Sequence, residues 1–168
     1  MDDLIRIIVQ WLHVLSGVMW IGAGFYTVLV QLPALASMPM PARGPALLAL
    51  GPRQVSYLLR AGELTLATGA VNLILSGRAR QLEDPFGSRW ALVMSVGIVL
   101  AIVLYGIGRG LMKPLVGRLL AVAPKAAGGD EAAAAQVPAL RERVRRLGLI
   151  QVGIGTVILF AMVMARFS

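Results

Sequence analysis

No charged side chain occurs between Arg6 and Arg43. A stretch that long has no means of covering a helix in water, but about 20 residues rising 1.5 Å each cross the roughly 30 Å of bilayer hydrocarbon. Ile7 to about Leu32 therefore reads as a membrane span, with Pro33 as a natural stop. Two more runs are as clean: Trp90 to Gly108, between Arg89 and Arg109, and Leu147 to Ala165, between Arg146 and Arg166. The charge-free run Leu64 to Gly77 is too short alone, so its span extends back to about Ser56, with Arg60 snorkelling toward the headgroups. The expectation is an all-α, four-helix transmembrane bundle forming one integral membrane domain over 1–168, with spans near 7–32, 56–77, 90–110 and 147–166.

Composition agrees. Only 14% of the residues are charged and 58% are hydrophobic, whereas a soluble domain carries roughly 25% charge. The missing charge implies that lipid is the partner of most of the surface. Ala34-Leu35-Ala36 has the small-x-small form of a signal-peptide cleavage site. The long apolar stretch before it, the acidic start Met1-Asp2-Asp3 and the three later spans argue against that reading. With no cysteine there is no disulfide, thiol nucleophile or thiolate-held cluster, and one histidine excludes any metal site that needs two imidazoles from one chain.

The 16 Lys and Arg against 8 Asp and Glu give a net charge of +8, an excess expected in cytoplasmic loops facing anionic lipid rather than on a nucleic-acid surface. Four spans put both termini on one side. That side collects Arg6, Arg78, Arg80, Arg89 and Arg166; the other eleven basic residues, from Arg43 to Arg146, fall on the opposite side. The bias predicts both termini outside and the 111–146 connection inside.

The connections differ. Pro33, Pro39, Pro41, Pro45 and Pro52 punctuate the first, which is expected to hold a short interfacial helix at Ala46–Leu50. Arg78 to Arg89 reads as a tight polar turn. Leu111 to Val122 continues the third helix past the membrane with a kink at Pro114; Pro124 to Asp130 is a flexible break, and Ala132 to Arg146 a basic helix leading into span four.

Polar groups inside hydrocarbon are the first places to look for function, because each is costly without a partner. His13, Gly17, Trp20 and Gly24 lie along one face of span one, where the glycines leave room for a flat ligand or a neighbouring helix. An imidazole in a bundle interior is a usual axial ligand of haem iron; equally, it serves to hydrogen-bond a neighbouring helix. His13 sits about 6 residues, or roughly 9 Å, inside the boundary, a depth shared by Thr68 to Asn72, Met94 and Met162. Thr68 or Asn72 is then a candidate partner for the second ring nitrogen, and Met94 or Met162 a candidate sixth ligand for haem b. Glu63, the only acid within a span, is expected to pair with Arg60 one turn earlier, or else to act as a proton or substrate group with Gln151. Met38-Pro39-Met40-Pro41 offers two thioethers to Cu(I), too few for a site, and reads as a turn. Gly106 and Gly110 have the GxxxG spacing that permits close helix pairing; without a flanking strand, Gly106 to Gly110 is no dinucleotide fingerprint.

The segment from Trp11 to Tyr26, with the core W-L-H-x-x-x-G-x-x-W-I-G, resembles the first helix of the N-terminal membrane domain of membrane-bound urate oxidases. The likeness runs on through Val30-Gln31-Leu32-Pro33-Ala34, the Arg60 to Gly69 helix start, the Lys113-Pro114 exit and the Arg-rich approach to span four. Copper-resistance protein D-like membrane domains share the W-L-H opening and the four-helix plan. The resemblance implies a bacterial inner-membrane domain linked to redox chemistry, with His13 as its haem candidate. In full-length urate oxidase members a cytochrome c domain accepts the electrons; lacking Cys-x-x-Cys-His, these 168 residues attach no c-type haem. The function expected is a haem-associated electron-transfer protein or redox-complex subunit, as a homodimer or within a larger assembly. Its rivals are a non-enzymatic structural or assembly subunit and a copper-handling protein. No catalytic residue and no substrate is assigned.

Overall fold

The computed structural model describes residues 2–168, with the side chains of Asp2, Met40 and Pro41 outside the described set. Helix α1 (Asp2–Tyr26) passes through a π-helical turn (Thr27–Gln31) into α2 (Leu32–Ser37). Helix α3 (Met40–Leu75) follows, then a 3₁₀ turn (Ala79–Leu82) and α4 (Arg89–Ile107). A second π-helical turn (Gly108–Met112) leads into α5 (Lys113–Ala127), and α6 (Glu131–Arg166) closes the chain. Among the described residues, four continuous helical rods are long and apolar enough to span a membrane: Asp3–Ser37, Ala42–Leu75, Arg89–Ala127 and Glu131–Arg166. This is a multi-pass, four-helix transmembrane bundle.

The rods are longer than the uncharged runs predict. At 1.5 Å per residue the third extends roughly 58 Å, nearly twice the hydrocarbon thickness. Pro33 is no stop, and Ala46–Leu50 is no separate interfacial helix: both lie inside continuous rods. A proline inside a helix lacks the N–H for the ladder, and its ring crowds the carbonyl one turn earlier. The two π turns end at Gln31 and Met112, two residues before Pro33 and Pro114, and the wider turn accommodates the ring without ending the rod. The 111–146 connection is likewise a helical hairpin whose break narrows to Gly128–Asp130. Gly129 turns the chain there at φ +94°, and the Asp130 carboxylate caps α6 by accepting from the Ala133 N–H at 2.9 Å.

Short turns make each rod antiparallel to the next. Lipid-facing positions on α1 include Leu4, Ile7, Trp11, Val14 and Val18, a stripe at helical spacing. The opposite stripe is small or packed: Ser16, Trp20 and Ile21 are buried. One core cluster gathers Trp20, Ile21, Ala61, Leu104 and Ile158 in mid-bundle; a second, of Trp90, Ala91 and Ala165, lies at the end carrying the termini. There Arg78, beyond the Gly77 turn (φ +71°), stacks over the Trp90 ring at 5.2 Å.

Candidate functional site

The half of the bundle nearer the termini is built by one repeating contact. On α1, Gln10, His13, Gly17 and Trp20 recur at intervals of three and four residues; on the antiparallel α3, Asn72, Gly69, Thr65 and Gly62 recur the same way and meet them in order. Each large ring faces a glycine. A Cβ at Gly69 would lie 2.8 Å from His13 Cε1, and one at Gly62 would lie 2.9 Å from Trp20 Cε2, so any larger residue there displaces a ring. Where α1 supplies the glycine the order reverses: a Cβ at Gly17 would meet Thr65 Cγ2 at 3.7 Å.

His13 is half-buried, and its Nδ1–H donates to the Thr65 carbonyl at 3.0 Å. A carbonyl only accepts, so Nδ1 carries a proton, and in the neutral ring Nε2 is then the nitrogen with the lone pair. The partner of the ring is thus neither Thr68 nor Asn72. The Thr68 hydroxyl donates to Leu64 O at 2.6 Å and reaches the same Thr65 carbonyl at 3.3 Å; the Asn72 amide donates to Gln10 Oε1 at 2.6 Å. A free hydroxyl in hydrocarbon satisfies itself on its own helix first. The buried Ser16 and Thr65 hydroxyls do likewise, bonding His13 O at 3.1 Å and Ala61 O at 2.7 Å.

The other expected site residues lie elsewhere. Met162 packs its Cε on Gly97 beside the central cluster and Met94 lies against the Trp90 cluster, whereas the His13 ring faces Thr65 and Gly69 of α3. A Cβ at Gly24 would meet no atom within 4 Å; that residue borders a cavity in the far half of the bundle. Glu63 forms no ion pair with Arg60 among the described residues; it accepts from the Tyr105 hydroxyl of α4 at 2.6 Å. Arg60 instead borders an open depression with Met19, Arg53, Ser56 and Tyr57. A Cβ at Gly106 or Gly110 would meet no atom within 4 Å among the described residues, so neither glycine is needed to seat a neighbouring helix. Met40 of the paired thioethers has its side chain outside the described residues. Among the described residues no three His, Cys, Asp or Glu side chains form a metal-holding group.

The far half, toward the Gly128–Asp130 turn, holds a feature that single-span reasoning missed. A cavity of about 140 Å³ lies between the rods. The Gln54 amide of α3 donates to Gln31 Oε1 at 2.8 Å and to the Thr27 hydroxyl, tying α3 to the first π turn; Gly108 of the second π turn and Gln151 of α6 border the same space. The signal was present in the sequence as three glutamines and two prolines, but only their convergence across three rods gives it meaning. No protein-family model, curated protein or solved structure matches the chain.

Proposed function

We propose that the protein is an integral membrane subunit of a redox complex in the bacterial inner membrane, with both termini periplasmic, and that His13 is the residue through which it holds haem b. The observation that carries this reading is the tautomer: an Nδ1–H anchored on the Thr65 carbonyl, with Nε2 left as a lone pair, is the pattern by which proteins orient a metal-ligating imidazole. The space beside Gly17 and Gly69 is occupied by the facing helix, so the residues fit a haem only if it meets Nε2 from beyond the α1–α3 contact. A second copy of the chain would bring a second imidazole there, which favours a homodimer or a larger complex. When bound, the group supplies one-electron transfer. The chain's own contribution is to hold the imidazole: Thr65 fixes its proton, Gly69 seats its ring, and the lipid-facing stripe of α1 keeps water away.

Protein purified from haem-replete cells should show a Soret band that His13→Ala abolishes while the helical circular dichroism persists. A colourless wild-type protein would falsify the reading. It would favour a second one, supported by the seating of the ring on Gly69, where a Cβ would lie only 2.8 Å from His13 Cε1: a structural or assembly subunit in which His13 only pins α1 to α3. Alkaline phosphatase fused after Ser168 should be active; activity there only from a cytoplasmic reporter would reverse the orientation.

A further inference from the structure

We infer that the cavity in the far half binds the ring of a lipid-soluble quinone or quinol. It lies in the opposite half of the bundle from His13 and holds whether or not that histidine carries haem.

Size comes first. An engineered cavity of about 150 Å³ in a protein core accepts a benzene ring, so a space of about 140 Å³ that opens between the rods can seat one six-membered ring with its substituents directed through the opening. The walls come next: Trp20, Phe25, Leu58 and Leu104 give the apolar surface that an aromatic or quinonoid ring requires. Among these apolar walls stand three amides, those of Gln31, Gln54 and Gln151.

The hydrogen-bond inventory identifies the ligand's chemistry. Gln54 uses its amide N–H groups on Thr27 and Gln31, which leaves Gln54 Oε1 and Gln31 Nε2 without a protein partner among the described residues. Gln151 has no protein partner there at all. Among the described residues no unpartnered polar side-chain atom is fully buried, so these free amide atoms keep accessible surface that a ligand can cover. An amide offers a donor and an acceptor without charge. A quinone accepts through its carbonyls and a quinol donates through its hydroxyls, so glutamines serve both oxidation states, and they do so from different rods. Both π turns border the site, as single π turns do at many functional sites.

The test uses the whole protein carrying Trp11→Phe and Trp90→Phe, in detergent micelles, with decylubiquinone as probe and quenching of the emission of Trp20, then the sole tryptophan, as readout. Quenching should saturate. Gly24→Leu grows a side chain at a position that borders the cavity and has no neighbour within 4 Å, and should weaken binding by at least about tenfold. Gly22→Leu, equally uncrowded but away from the cavity, should leave it unchanged. Gln151→Leu should weaken binding by about fivefold, the worth of one hydrogen bond, and keeps the test decisive if Gly24→Leu fails to fold. Quenching that never saturates, saturable binding equally strong in both cavity variants, or equal affinity for n-decanol would each overturn the proposal.

Discussion

The two halves of the bundle join the same two helices by opposite means. Nearer the termini, α1 and α3 meet ring on glycine, so closely that a Cβ at Gly62 or Gly69 would fall inside normal contact distance. In the far half α3 is tied to the π turn that follows α1 by the Gln54 amide, beside a cavity. What changes between them is the backbone: the π turn at Thr27–Gln31 breaks the even three-and-four spacing that keeps the upper contacts in register. A tight seam gives rigidity, and its interruption makes room for a ligand.

The largest test of that contrast is Gly62→Leu. It drives a side chain into the buried Trp20 ring and should cost about 3 kcal/mol, read as a large fall in thermal stability in detergent. Gly24→Leu should change stability by less than about 0.5 kcal/mol. Equal losses from the two would erase the difference between the halves. His13→Ala removes the Thr65 hydrogen bond and the ring seated on Gly69, and should cost about 2 kcal/mol; a neutral result would show that the seam does not rely on it. Gln54→Leu should cost about 1 kcal/mol, because one shared amide is all it removes. Arg78→Ala should cost about 0.5 kcal/mol, the scale of an exposed cation–π contact, with no effect on quinone binding.

On α1, His13, Gly17 and Trp20 meet α3 on one inward face, whereas Gly24, at the same spacing, borders the cavity instead. What a single helix leaves out is the partner's spacing: Gly62 and Gly69 stand seven residues apart on α3, as His13 and Trp20 do on α1. Depth matching pointed to Thr68 and Asn72, because it counts rise along the membrane and ignores rotation about the helix axis. Arg60 and Glu63 were expected to pair because local spacing permits it, yet Tyr105 reaches Glu63 from another rod.

Sequence alone determined the number of spans, because a bilayer tests charge residue by residue and an uncharged run is a local property. Tertiary structure decided how far each helix continues, which glycine receives which ring, and where the bundle stays hollow. A proline ends a helix in isolation, but packing against a neighbour outweighs its cost of about 3 kcal/mol and lets α3 run unbroken through Pro45 and Pro52. A cavity belongs to no single segment: Gln31, Gln54 and Gln151 share one only because three rods bring them to the same depth and the same side.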